Sequence, residues 1–265
     1  MPPGKRRKCG SVPAAKGRAP AAMKVDAIRL DLRPRGMFEA ADLGARLVSA
    51  HLRSVWASCA PVYAVVLLIA AAVLPFGTGW TVLTMVWLKP WLDRSILFVL
   101  ARAVFGEETR FADVWAARRA VAWQGLLGAL TTRRLSPWRS YVQPVLQLEG
   151  QRGKARRERV ARILGPHRGA ALAMQSAFAT IESALAMGLL ALLGWLAPAD
   201  DQGLWFALLF EGGSWVAGAG LAFYVIAVAI VEPFFVGAGF AMYLNRRVEL
   251  EAWDIEQEFR LAFAR

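Results

Sequence analysis

Long apolar runs alternate with short basic segments along this chain, and several runs are long enough to cross a bilayer. Four runs are predicted as membrane spans, at residues 55–76, 80–105, 169–197 and 214–244. A hydrocarbon core of about 30 Å needs roughly 20 helical residues at about 1.5 Å per residue. The pattern therefore predicts an all-α polytopic integral membrane bundle with about four transmembrane helices, and residues 37–245 form this membrane domain.

Two further stretches have the period of an amphipathic helix. Residues 37–54 place charged side chains on one side and leucines and valines on the other, and the tail 246–265 has a similar apolar stripe. Both are predicted to lie along the membrane interface, the tail on its cytoplasmic side. Packing of the first helix on the protein's own cytoplasmic face is an equally good interpretation. The uncharged part of 111–131 is too short to cross, so this stretch is predicted to be interfacial or re-entrant.

Proline and glycine positions predict where regular structure stops and where helices pack closely. The fourth run is predicted to break at Pro233, because proline removes a backbone donor. In the loop 131–168, Pro137 and Pro144 are predicted to bracket an extended piece that precedes a basic helix. Small residues in the fourth run predict close packing against a neighbouring helix. They are Ser214, Gly218, Gly220, Gly237 and Gly239.

Composition and charge support the membrane interpretation. Hydrophobic residues make up 57% of the chain and charged residues 20%, whereas a soluble domain averages about 45–50% apolar residues. The net charge of +12 is concentrated in residues 1–36 and 131–168, and basic segments beside spans mark the cytoplasmic side. Both termini are therefore predicted to be cytoplasmic. Residues 1–36 are predicted to be a disordered basic N-terminus, because they hold few large apolar side chains.

The basic segments also bear on the choice of partner. A charge of this size spread over a soluble surface would favour nucleic acid, but here it flanks the predicted spans. We therefore expect the lipid bilayer and its anionic head groups as partners, and no nucleic acid.

Five ionisable side chains fall near the middle of the predicted spans. They are Lys89, Asp93, Arg94, Glu182 and Glu232. An unpaired charge at that depth costs a few kcal/mol or more, so these side chains are expected to face inward and pair. Two cations against three carboxylates leave one carboxylate to be protonated or matched by a bound cation. The cluster is either a structural polar clamp between helices or an ion or proton site, and both interpretations stay open.

Motifs for other chemistry are weak. His51 and His167 lie far apart, and neither has a cysteine or an acidic residue at ligand spacing. No nucleophile motif or phosphate-binding glycine-rich loop occurs in the sequence. We therefore predict no enzymatic activity, no catalytic residue, no cofactor and no metal.

Four segments together resemble a group of bacterial polytopic inner-membrane proteins. They are LRPRGMFEAADLGARL, KPWLDRSILFVLARAVFGEE, SPWRSYVQPVLQLEGQRGKARRERV and EPFFVGAGFAMYLNRRVELEAWDIE. Such proteins tend to be encoded beside MoxR-type AAA+ ATPases and transglutaminase-like membrane proteins. The closing pattern YLNRRVELEAWDIE is also similar to the membrane domain attached to some glycerophosphodiester phosphodiesterases.

The resemblance covers roughly residues 28–260 and implies a place in an envelope complex. It implies a non-catalytic membrane subunit or scaffold in the bacterial inner membrane that docks cytoplasmic partners. A MoxR-type ATPase and other membrane subunits are the partners it suggests. The alternative is a small ion- or proton-coupled transporter or channel that uses the charge cluster.

Overall fold

The computed structural model describes residues 35–119, 121, 136–196 and 214–251, and these residues are helical apart from short connections. The helices are α1 (Met37–Ala50), α2 (Leu52–Val73), α3 (Thr78–Ala103), α4 (Phe111–Ala116), α5 (Arg139–Gln147), α6 (Gly153–Leu164), α7 (Arg168–Trp195) and α8 (Ser214–Glu251). The predicted all-α class is confirmed for this part of the chain.

Several predictions fall on residues outside the described part. They concern the disordered N-terminus up to residue 34, most of the stretch 111–131 and the tail beyond residue 251. These remain predictions.

Three helices are long and apolar enough to cross a membrane, which indicates a membrane protein. They are Leu52–Phe76, Gly153–Trp195 and Val216–Glu251, with mean hydropathies of 2.4, 1.7 and 2.1 in their most apolar parts. The predicted second span corresponds to α3, a 26-residue helix. It is not among the three, because Lys89, Asp93 and Arg94 interrupt its apolar sequence.

Helices α2 and α3 form a hairpin with a glycine at its turn. A 3₁₀ turn, Leu74–Phe76, ends α2, and Gly77 then has a φ of 115° before α3 begins at Thr78. Glycine adopts this left-handed conformation without steric cost, which explains the abrupt reversal. The two helices pack against each other and bury Val66 from one and Met85 from the other.

Helix α8 is the central element, because α1, α3, α5 and α7 all pack against it. It runs for 38 residues and has Pro233 inside it, so the predicted break at that residue is wrong. Surrounding helices hold the backbone in place on both sides of a proline, which is why membrane helices tolerate it.

The same helix also extends past residue 244, where the sequence predicted that the span ends. Pairs one turn apart support this extension, with Arg246 Nη1 2.6 Å from Glu249 Oε2 and Arg247 Nη2 2.5 Å from Glu251 Oε2. Such pairs stabilise a helix at the three- and four-residue spacing. At about 1.5 Å per residue α8 is about 57 Å long, nearly twice the thickness of a hydrocarbon core.

Helix α1 packs on α8 at a point where the two backbones nearly touch. A Cβ added to Gly44 would collide with the carbonyl of Gly237, and one added to Gly237 would lie 2.5 Å from Val48 Cγ2. Glycine at both positions is therefore required for this approach. A Cβ on Gly239 would likewise collide with Ser140 of α5, whereas Gly218 has no neighbour within 4 Å among the described residues. The predicted close-packing face thus exists at Gly237 and Gly239.

The segment after residue 136 differs from its prediction. The piece between Pro137 and Pro144 is predicted to be extended, but it forms most of helix α5, with Pro144 inside that helix. Helix α5 buries Tyr141 and Val145 against the bundle, and this apolar burial offsets the backbone bond that Pro144 cannot make. The basic helix is present as α6. It is tied to α5 by the hydroxyl of Tyr141, which donates to the Ile163 carbonyl at 3.1 Å.

Candidate functional site

Five charged side chains form a continuous series of ionic contacts inside the bundle. Lys89 Nζ lies 2.5 Å from Glu182 Oε2 and 2.9 Å from Glu232 Oε2. Arg139 Nη2 lies 3.0 Å from Glu232 Oε1, and Arg139 Nε lies 2.8 Å from Asp93 Oδ2. We call the series Glu182, Lys89, Glu232, Arg139 and Asp93 the ion-pair chain. It links α3, α5, α7 and α8.

The ion-pair chain is almost completely removed from solvent-accessible surface. The side chain of Asp93 is 0% exposed, that of Glu232 2% and that of Lys89 9%. Charges buried to this extent are stable only when they are paired, because desolvation costs several kcal/mol per ion. The continuous pairing across four helices satisfies that requirement.

Helix geometry and helix packing position Lys89, Asp93 and Arg139 in the ion-pair chain. Lys89 and Asp93 are four residues apart, which puts both on one face of α3. Arg139 is the first residue of α5, whose packing against α8 brings its guanidinium to Glu232. Burial disfavours the charged guanidinium, yet Asp93 and Glu232 raise the pKa of Arg139 above its ordinary value, so Arg139 remains a cation. Its guanidinium also lies 5.3 Å from the ring centroid of Phe235, a cation–π contact.

The structure brings together four of the five side chains singled out in the sequence, namely Lys89, Asp93, Glu182 and Glu232. Arg94 turns to another part of the molecule, where it lines a pocket between α3, α5 and α6. Its backbone carbonyl accepts a hydrogen bond from Gln147 Nε2 at 2.7 Å.

Arg139 takes the place in the cluster that sequence reasoning gave to Arg94. It was missed because it lies in the segment predicted to be a cytoplasmic loop, where an arginine is ordinarily solvated. Arg139 could have been predicted from the excess of carboxylates in the predicted spans, because this excess indicates a cation contributed by another segment. With Arg139 in the chain, the balance is still two cations against three carboxylates.

A cavity of about 360 Å³ borders the ion-pair chain between α3, α7 and α8. Its polar lining comes from Lys89, Arg139, Gln175, Glu182, Ser183, Tyr224 and Glu232. Because a water molecule occupies about 30 Å³ of liquid volume, the cavity has room for several waters or a small polar solute. Carboxylate and ammonium groups at its wall are placed to hydrogen-bond with such an occupant.

Asp93 is the least satisfied member of the ion-pair chain. Its contact with Arg139 is ionic without hydrogen-bond geometry, and its Oδ1 atom has no hydrogen-bond partner among the described residues. A buried acceptor in this state carries a free-energy cost of about 1–3 kcal/mol. Asp93 is therefore the member of the ion-pair chain that depends most on its ionic contact with Arg139.

A second charged network lies at the far end of α8. The carboxylate of Glu149 accepts hydrogen bonds from Arg159 at 2.8 and 2.9 Å and from the Tyr243 hydroxyl at 2.6 Å. Glu251 pairs with both Arg159 and Arg247. We call these five residues the terminal network. It fixes α6 and the segment before it to the end of α8.

The same end of α8 also holds the start of the described chain. The side chain of Asn245 forms two hydrogen bonds with the backbone of Arg35, each 2.9 Å long. An amide side chain that satisfies both the N–H and the C=O of one residue fixes the backbone at that point.

Among the described residues no group of three or more His, Cys, Asp or Glu side chains is placed to hold a metal ion. Comparison of the chain with protein-family models, with curated proteins and with solved structures finds no match.

Proposed function

We propose that this protein is a non-catalytic integral membrane subunit or scaffold of an envelope-associated complex in the bacterial inner membrane. In this proposal α3 also crosses the membrane, as the second of four spans, and both termini lie in the cytoplasm. The observation that carries the proposal is the ion-pair chain. Through Arg139 it fastens the short helix α5, and with it α6, to three long helices of the bundle.

Pairing within the ion-pair chain supports a membrane position for α3. The charges in the middle of this helix would otherwise oppose insertion by a few kcal/mol each. Lys89 is neutralised by Glu182 and Glu232, and Asp93 by Arg139. In the assembled bundle α3 therefore presents no unpaired charge from these two side chains to lipid.

Helix α6 offers the surface for a soluble partner. Arg152, Lys154 and Arg157 are exposed at and near its start, and we call them the basic patch. The terminal network and the Tyr141 hydrogen bond hold this helix in a fixed orientation. A rigid cationic patch attracts acidic surfaces over long range and fixes the orientation of the encounter. An acidic face of a cytoplasmic protein is thus the complementary partner, and the sequence resemblance suggests a MoxR-type AAA+ ATPase.

The test is affinity purification of the full-length protein from native membranes in a mild detergent, followed by mass spectrometry. We expect an AAA+ ATPase to co-elute at a defined stoichiometry. The double variant Lys154→Gln with Arg157→Gln should reduce its recovery at least fivefold, because it removes two of the three charges of the basic patch.

A matched control removes two exposed arginines elsewhere, with Arg46→Gln and Arg53→Gln on α1 and α2. This variant should recover the ATPase as the unmodified protein does. The docking function is wrong if the protein elutes without a stoichiometric soluble partner, or if both double variants lose the partner equally.

A second candidate function is supported by the 360 Å³ cavity and by the surplus carboxylate of the ion-pair chain. Polar groups lining a cavity within a membrane bundle are typical of ion and proton pathways. In this alternative Glu182, which lines the cavity and pairs with Lys89, lies on the ion or proton pathway.

Reconstitution into liposomes tests this alternative. An imposed proton gradient should drive flux through the unmodified protein, and Glu182→Gln and Glu232→Gln should each abolish it while the protein still inserts. Glu158→Gln, which changes an exposed carboxylate on α6, is the control and should leave flux unchanged. Equal flux in all variants would remove the transporter hypothesis.

A further inference from the structure

A pocket of about 280 Å³ lies between α3, α5 and α6, and three arginines line it. Arg94 comes from α3, Arg139 from α5 and Arg156 from α6. No carboxylate stands among the described residues of its lining. Arg139 also lines the cavity beside the ion-pair chain and is paired with Asp93 and Glu232, so this pocket is distinguished by Arg94 and Arg156.

The three arginines are held in place by the fold. Arg94 is 5% exposed, and the hydrogen bond between its carbonyl and Gln147 fixes its backbone. Arg139 is anchored by its ionic contacts with Asp93 and Glu232. Arg156 is half-buried on the side of α6 that faces the pocket. A site built in advance from fixed side chains loses little entropy on binding a ligand.

The remaining lining indicates the chemistry of the ligand. Ser136 and Gln143 add polar groups, and apolar side chains such as Pro90, Val142 and Leu146 complete the wall. Guanidinium groups match the oxygens of a phosphate with two parallel hydrogen bonds, and they do so better than ammonium groups. A wall that is basic on one part and apolar on another suits a phosphate that carries an organic substituent.

We propose that this pocket is a specific binding site for a phosphate group, supplied by the head group of an anionic phospholipid or by a soluble phosphate ester. The site goes beyond the docking function and does not depend on it, because Arg152, Lys154 and Arg157 do not line the pocket. Arg156 is on α6 and Arg94 is on α3, so a phosphate group bound by both guanidinium groups links these two helices.

The experiment measures ligand binding to the full-length protein, purified in a neutral detergent, by native mass spectrometry. Short-chain phosphatidylglycerol and phosphatidylcholine are compared, and glycerol 3-phosphate and inorganic phosphate are added in separate arms. We expect phosphatidylglycerol or glycerol 3-phosphate to bind at a stoichiometry of one. Arg156→Gln should weaken this binding about tenfold, the loss of one charge-assisted hydrogen-bonding partner.

The matched control is Arg162→Gln, which removes the same charge from an exposed position on the same helix. It should change binding less than twofold. Val160→Phe fills part of the pocket without changing any charge, and it should weaken binding as Arg156→Gln does. Each variant is used only if its elution volume and thermal unfolding match those of the unmodified protein.

The arms separate the two sources of phosphate. Binding of phosphatidylglycerol alone assigns the pocket to lipid, and binding of glycerol 3-phosphate with the same dependence on Arg156 assigns it to a soluble ester. The proposal is overturned if Arg156→Gln and Arg162→Gln weaken binding equally, which indicates diffuse surface charge. It is also overturned if no phosphate compound binds, or if phosphatidylcholine binds as tightly as phosphatidylglycerol.

Discussion

The ion-pair chain and the terminal network are built from the same kinds of residues but differ in their surroundings. In the ion-pair chain the side chains of Asp93 and Glu232 are at most 2% exposed. In the terminal network Arg159 is 17% exposed and Glu251 24%. The chain joins four helices that are distant in sequence, whereas part of the network joins residues one turn apart on α8.

This difference in surroundings changes what each group contributes. A buried pair gains little over apolar packing, yet removing one partner leaves an uncompensated charge and costs about 3–5 kcal/mol. A pair that remains in contact with solvent contributes about 0–1 kcal/mol, because water and salt replace the lost partner. Similar ionic distances therefore predict unequal effects of substitution.

The largest effect is expected for Arg139→Gln. This change leaves Asp93 and Glu232 adjacent without the cation between them, and the free energy of unfolding should fall by about 3–5 kcal/mol. Thermal unfolding of the purified protein in detergent, followed by circular dichroism, measures the loss. Adding Asp93→Asn should restore part of it, since the orphaned carboxylate is then neutral. If the double variant is no more stable than Arg139→Gln, the loss of stability does not come from the unpaired carboxylate of Asp93.

A change without charge sharpens the comparison in the same part of α8. Gly237→Ala forces a methyl group against Val48 and the backbone of Gly44, and overpacking of this kind costs about 1–3 kcal/mol. Gly218→Ala on the same helix meets no neighbour within 4 Å among the described residues and should leave the unfolding midpoint unchanged. Equal midpoints for the two variants would show that α1 does not pack as closely as described.

Arg159→Gln tests the terminal network. It removes a bidentate contact with Glu149 and the pair with Glu251, and the expected loss is about 1 kcal/mol because the site is partly solvated. The same unfolding assay at low and high salt measures it. The loss should shrink as salt rises, since salt screens exposed pairs. A loss as large as that of Arg139→Gln, and insensitive to salt, would contradict the contrast between the two regions.

The smallest effect is expected for Lys154→Gln. Its side chain is 92% exposed and its ammonium lies 3.9 Å from Glu158. An ion pair of this kind contributes nothing measurable in many proteins, so the unfolding midpoint should stay the same. A clear drop in the unfolding midpoint would mean that Lys154 makes a stabilising contact other than its pair with Glu158.

The helices themselves were largely predictable, because long apolar runs and a 3.6-residue period are local properties of the sequence. The first, third and fourth predicted spans correspond to the three helices long and apolar enough to cross a membrane. The continuous helix at Pro233 was not predictable from the residues near it. It depends on neighbouring helices that hold the backbone, and these come from distant parts of the chain.

The site was predictable only in part for a related reason. Depth along each span pointed to Lys89, Asp93, Glu182 and Glu232, but depth does not show the direction in which a side chain faces. Arg94 and Asp93 are adjacent on α3 and yet face different parts of the protein. Arg94 lines the pocket between α3, α5 and α6, whereas Asp93 belongs to the ion-pair chain. Arg139 entered the chain through the packing of α5 on α8, a contact between residues 93 positions apart.

The order in which the helices are synthesised determines when the ion-pair chain can form. Lys89 is synthesised long before its partners, and Glu182 follows it by 93 residues. A ribosome that adds about 5–20 residues per second needs roughly 5–20 seconds to supply that partner. Arg139, the partner of Asp93, is made partway through this interval, but Lys89 lacks both of its glutamate partners until the interval ends. Helix α8 supplies the second partner, Glu232, and thus determines when the pairing of Lys89 is complete.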